Sequence, residues 1–143
     1  MKHAIYALLA FCLMLSGCKR TISDLVVTMP GYEIEIYPES LGLMNWWSAK
    51  RKCEALGKGW RLPTKEELEE INKQIKSKGK GYFKKVDHGS CFWSITPAEE
   101  IGGEVFAAYL FCFDYGTASR MLVEDKNYVC AVREIQDYWY TAN

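Results

Sequence analysis

Asp87, His88, Ser90 and Cys91 form the one group in this chain with the residue types of a nucleophilic site. A thiol or hydroxyl becomes a nucleophile when a base lies within hydrogen-bond reach and a third group orients that base. Neighbours along a loop rarely meet that geometry, and His88 is the only histidine after His3. The four residues read as a solvated loop, and no residue takes a catalytic role. A second group, Glu99-Glu100-Ile101-Gly102-Gly103-Glu104, sets three carboxylates around two glycines. Asp24, Glu33 and Glu35 are further carboxylates, and none of the six has the spacing of a metal-binding loop. Glu99, Glu100 and Glu104 therefore read as a charged loop, at most a weak ligand or cation site. No metal and no other cofactor is expected. A third group is the aromatic run Tyr138-Trp139-Tyr140. Such faces stack on sugars or anchor protein partners. Folding of the tail back over the body accounts for Trp139 as well, and is preferred because a solvated tryptophan is unfavourable.

The first residues fix where this chemistry would operate. Lys2 precedes a twelve-residue apolar run, Ala4 to Leu15, too short to span a bilayer and shaped like a secretory signal peptide. Leu15-Ser16-Gly17-Cys18 closes it. These four residues resemble the bacterial lipobox, which implies acylation of the Cys18 thiol and cleavage before it. Removal of 17 residues leaves 126 of the 143, enough for one domain. One acyl chain holds weakly and several hold stably, so a multiply acylated cysteine is a sufficient anchor. Lys19 directly after that cysteine, in place of an aspartate, points to transfer to the outer membrane of a cell that has one.

With Cys12 in the signal and Cys18 lipidated, Cys53, Cys91, Cys112 and Cys130 remain. An even number in an exported chain reads as two disulfides. The absence of a C-x-x-C pair argues against zinc. Eighteen basic and eighteen acidic residues balance, which argues against a nucleic-acid partner. Five Trp, nine Tyr and six Phe suit a compact core rich in β structure.

The periodicity reads as an α+β chain. After a tether over 18–24, Leu25 to Met29, Pro30-Gly31 and the alternating Tyr32 to Tyr37 predict a hairpin, with Glu33 and Glu35 on its polar face. Asn45 caps a helix from Trp46 to about Leu56, stopped by Gly57, and Cys53 points inward. A second helix starts after Pro63 with Thr64 and Glu67 as a capping box. Its buried stripe is Leu68, Ile71 and Ile75, and Glu69 pairs with Lys73. It ends in an exposed Lys/Gly-rich loop from Lys76 to Gly81. Strands follow at Cys91–Thr96, Val105–Asp114, Thr117–Glu124 and Tyr128–Arg133, as an antiparallel meander.

Trp60-Arg61-Leu62-Pro63-Thr64 between the two helices is the recognisable segment. It resembles the W-R-L-P-T signature of the Legionella collagen-like protein C-terminal family, which has a C-type-lectin-like fold. Related signatures occur in the formylglycine-generating superfamily and in the Fibrobacter paralogous domain. Trp47, Ala49 and Cys53, then Glu67-Leu68, Phe92-Trp93-Ser94 and Val129-Cys130-Ala131-Val132-Arg133 match the family in order. The match runs over about Leu43 to Glu134 and leaves 25–143 as one domain. It implies that the Cys130 strand lies against the first helix, hence Cys53–Cys130, with Cys91–Cys112 between adjacent strands. It also implies a structural role for the signature, with Trp60 mostly buried and Arg61 and Arg133 each needing an acidic or carbonyl partner. Glu67 is a candidate for that partner.

The resemblance implies a non-catalytic binding or assembly module, with an unknown protein or glycan as partner. The E-P-N, Q-P-D and W-N-D triplets of calcium-dependent lectins are missing, so calcium-dependent sugar binding is not implied. Formylglycine-generating enzymes are about twice as long and use a cysteine pair with copper. That enzyme class is the alternative, and it requires a cysteine left reduced. A purely structural envelope protein is a third reading. The Ala98–Val105 loop and the aromatic tail, the segments least explained by folding, are the expected contact surface. The charge of that loop favours a basic partner.

Overall fold

The computed structural model describes residues 26–78 and 90–135. Cys18 and the tether, Asp24, Asp87, His88 and Trp139 lie outside the described residues.

The chain opens as expected from its alternation. β1 (Val26–Met29) and β2 (Tyr32–Ile36) pair antiparallel, Met29 opposite Tyr32, across a turn whose Gly31 sits at φ 91°. A positive φ at that position is what a Pro-Gly turn of this type requires. Tyr32, Ile34 and Ile36 share the inner face, and both isoleucines are fully buried. After the short β3 (Leu43–Met44) comes α1 (Trp46–Glu54), capped by the Asn45 side chain, which accepts from the Ser48 N–H at 2.9 Å. Trp46, Ala49 and Cys53 form its buried stripe. The helix stops at Glu54, two residues short of the sequence-based boundary.

α2 (Lys65–Lys78) shows the reciprocal capping box. The Glu67 N–H donates to Thr64 Oγ1 at 3.1 Å, and the Thr64 N–H donates to Glu67 Oε2 at 2.8 Å. Leu68 and Ile71 are buried. Two details differ from expectation. The helix continues to Lys78, through the start of the segment read as loop. Lys73 pairs with Glu70 at 3.0 Å in place of Glu69, which lies nearer Lys65 at 3.8 Å.

β4 (Cys91–Ile101), β5 (Glu104–Cys112) and β6 (Thr117–Leu122) form the expected antiparallel meander. The closing strand departs from it. β7 (Asn127–Tyr128) lies parallel to β4 and pairs with β3, so the larger sheet runs β3-β7-β4-β5-β6. The backbone then crosses through Val129-Cys130-Ala131, and β8 (Val132–Glu134) joins a second sheet, β1-β2-β8. One continuous segment therefore serves both sheets. Alternation along the central strand pair divides the core in two. Phe92 and Phe111, in register, face Leu68, Ile71, Ile34 and Ile36; Trp93 and Leu110, the next pair, face Trp46, Ala49, Cys53 and Leu62. Both faces of these strands are buried, which explains the run of apolar residues where a half-exposed strand would alternate. Among the described residues no helix is long and apolar enough to cross a membrane.

Candidate functional site

The signature segment is fastened at several points. Arg61 exchanges backbone hydrogen bonds with Val132 at 3.0 and 2.9 Å, and the Ile95 N–H donates to Pro63 O at 2.8 Å. Arg61 is thereby held beside the strand that carries Arg133. Its guanidinium forks onto Glu67, Nη1 to Oε2 at 2.7 Å and Nη2 to Oε1 at 2.8 Å, and Nη1 also donates to Leu62 O at 3.2 Å. Tyr32 donates its hydroxyl to the same carboxylate at 3.1 Å. Glu67 is fully buried. Burial pushes its carboxyl up, but the hydrogen bonds from Arg61 and the Thr64 backbone, with the charge of Arg61, hold it below the usual range. The expected partnership of Arg61 with Glu67 is thus present.

Arg133 found a partner the sequence reading left open. It is in register with Glu35 across β2 and β8, and donates Nε and Nη2 to Glu35 Oε2, the former at 3.2 Å. Its guanidinium lies over the Trp60 ring, 4.7 Å from the centroid, and Tyr37 meets the same ring edge-on at 5.4 Å. Trp60 is mostly buried, as expected, with the Arg133 guanidinium covering one face of its ring. The alternation of β2 placed Glu35 on the polar face; what it could not supply was the strand lying next to it.

These groups line a cleft of about 530 Å³ bounded by Glu35, Lys58, Gly59, Arg61, Arg133 and Glu134. Gly59 sits at φ 85°, and a Cβ there would stand 3.4 Å from Arg133 Cγ. Glycine is needed for the turn, while a Cβ would make only ordinary contact with the arginine stem. The cleft was not anticipated. Its one sequence signal was Gly57-Lys58-Gly59, two glycines around a lysine directly ahead of the signature.

The acidic group stands elsewhere and forms a hairpin end in place of the expected loop. β4 runs to Ile101 and β5 starts at Glu104, so the segment is the end of a hairpin turned by Gly102-Gly103, at φ 61° and 84°. Pairing and alternation put Ile101, Glu104 and Phe106 on one face and Glu100 and Val105 on the other. Pairing with β6 reaches only to Ala107, so this end projects past its neighbour. Ile101 is 62% and Phe106 42% exposed. Glu99 is withdrawn from the group by an ion pair with Arg120.

Of the nucleophile candidates, Cys91 is bonded to Cys112, its register partner, with Cα atoms 4.1 Å apart. That disulfide agrees with expectation. The Cys53–Cys130 bond is not made in the structure. The two are buried neighbours, but the Cys53 Sγ points at the Cys130 carbonyl oxygen, 3.8 Å away, and both remain thiols. Neither is a nucleophile in this state, because attack needs a thiolate. Burial and the nearby Glu54 push the Cys53 thiol up to about 12, and burial, with Cys53, raises Cys130 further. Among the described residues no three His, Cys, Asp or Glu side chains converge as a metal ion would need.

No family model matches the sequence, and no curated protein matches it. Botrocetin superposes with a TM-score of 0.51 at 13% identity, over 79% of this chain and 98% of that one. The fold is C-type-lectin-like. Also similar are botrocetin in a complex with the von Willebrand factor A1 domain (0.46, 10% identity, 78% and 97% covered) and the snake venom toxin convulxin (0.45, 11%, 78% and 95%). At this identity the likeness concerns the C-type-lectin-like fold alone.

Proposed function

We propose that this protein is a lipid-anchored envelope protein, fastened through Cys18, whose C-type-lectin-like domain is a non-catalytic binding module. A basic protein is the proposed partner, and the end of the β4–β5 hairpin the contact. The observation that carries the reading is the projecting hairpin end, where Ile101 and Phe106 are exposed on one face beside Glu104, with Glu100 behind. Exposed apolar side chains rimmed by charge are the usual dress of a protein contact. Glu100 and Glu104, with no ion-pair partner among the described residues, give that end a negative field in an otherwise neutral protein. Botrocetin, which shares the fold, is itself seen in complex with another protein. That it binds one sets a precedent for the fold and identifies no partner here.

A photo-crosslinking residue placed at Ile101, with one at Lys52 on α1 as the control, tests the reading in intact cells. Crosslinks to one basic protein from position 101 alone are expected, weakening with salt because exposed charges are screened beyond about 10 Å at 0.1 M. Glu100→Gln with Glu104→Gln should reduce them at unchanged thermal stability. Equal crosslinking from both positions, or none from 101, would remove the hairpin from the contact surface.

A further inference from the structure

The cleft between the signature segment and β8 has a chemistry that neither the hairpin nor the fold accounts for. A guanidinium has more N–H donors than a single carboxylate can take. Arg133 gives Nε and Nη2 to Glu35, leaving Nη1 unengaged among the described residues. Arg61 gives Nη1 and Nη2 to Glu67 and Leu62, leaving Nε unengaged in the same sense. Lys58, exposed at the rim, adds an ammonium that no described residue takes up. Each guanidinium is held in place before any ligand arrives, Arg61 by a buried carboxylate and Arg133 by Glu35 and the Trp60 ring. Gly59, at φ 85°, allows the turn that brings Lys58 to the rim beside the Arg133 stem.

We propose that this cleft is an oxyanion site, taking a carboxylate or phosphate group between Lys58, Arg61 and Arg133. Glu35 and Glu67 each neutralise one arginine, so what is left for an oxyanion is the Lys58 ammonium and the unengaged guanidinium N–H groups. Glu134 also lines the cleft, and its charge acts on Arg61. It disfavours a highly charged ligand and favours an oxyanion that carries a hydroxyl or ammonium donor beside it. Planar donors prearranged in this way bind an oxyanion with little ordering left to lose. The inference rests on the binding-module reading but not on the hairpin, which lies on other strands.

The test is titration of the purified full chain in detergent with acetate, inorganic phosphate and glycerol 3-phosphate, following the Nε–Hε signals of Arg61 and Arg133 by NMR. Saturable shifts of both signals are expected with at least one probe. Lys58→Ala should weaken binding about tenfold, the size of a charge-assisted hydrogen bond. Glu134→Gln should tighten it. Both positions are exposed, so the fold survives the change. Tighter binding of glycerol 3-phosphate than of phosphate would identify a lipid headgroup as the source, and equal or looser binding a free oxyanion. Shifts that never saturate, or saturation that neither substitution alters, would overturn the site. Crosslinking from Ile101 is read separately, so loss of the hairpin contact and loss of this site are distinguishable.

Discussion

Glu67 accepts both arms of the Arg61 guanidinium at 2.7 and 2.8 Å while fully buried, and the same carboxylate caps α2 through the Thr64 N–H. One side chain thus joins the signature segment, a helix start and, through Tyr32, the N-terminal hairpin. Removing one member of such a pair leaves a charge without its counterion. Glu67→Ala is expected to cost about 3 kcal/mol, at the low end for buried pairs because Arg61 is one-third exposed. Chemical denaturation of the two proteins measures it, and a loss under 1 kcal/mol would show that water replaces the carboxylate.

The same contact sets an acid limit. A carboxyl held below its ordinary value stabilises the fold above that value, 4.5, and loses the contribution as pH falls through its own lower one. Melting temperature should drop on acidification below about pH 4.5 in the natural chain. Glu67→Gln should show a shallower drop from a lower plateau.

Thr64 is the other half of the box. Thr64→Ala should cost about 1 kcal/mol and Thr64→Ser little, because serine keeps the oxygen that receives the Glu67 N–H. Equal losses in both would point to packing of the methyl group in place of capping.

The buried thiols allow a two-state comparison. In an oxidising compartment Cys53 and Cys130, already neighbours, are expected to close into a second disulfide beside Cys91–Cys112, and non-reducing peptide mapping should recover both. Cys53 joined to Cys91 or Cys112 would contradict the pairing. In the reduced protein the Cys53 thiol, raised from 9.0 to about 12, leaves stability intact below pH 9 and erodes it as pH climbs toward 12. The oxidised form has no such alkaline loss.

Cys18→Ser is expected to move the protein from the membrane fraction to a soluble or unprocessed form. Retention of the variant on membranes after a high-salt wash would exclude lipid as the anchor.

The local layer of this structure was legible from residue order. Asn45, the Thr64–Glu67 box, the Pro30-Gly31 turn and the inward stripe of α1 are decided within a few positions of each other, and they stand where the pattern put them. Change of period and turn residues placed the strands along the chain, and the resemblance implied the Cys91–Cys112 bond. Failures came where distant segments decide. Glu35 meets Arg133 across 98 positions, and the cleft exists only where the β2–β8 pairing meets the Gly57–Gly59 turn. The Glu99–Glu104 group was misread for a local reason. Two glycines between charged residues suit a long loop and a tight hairpin turn equally, and only the β4–β5 register separates them.

The split of the last strand between two sheets has a consequence for how the chain comes together. Ile34 finds its partner in Glu134, so β2 keeps an open edge until nearly the whole sequence is available. Pairing across such a span must close a large loop before any contact rewards it, which slows folding. The N-terminal hairpin therefore waits with one edge unprotected, while the signature segment waits for Val132 to complete its bridge. A chain released with its last ten described residues missing would lose an edge of one sheet, a central strand of the other and the wall of the cleft together.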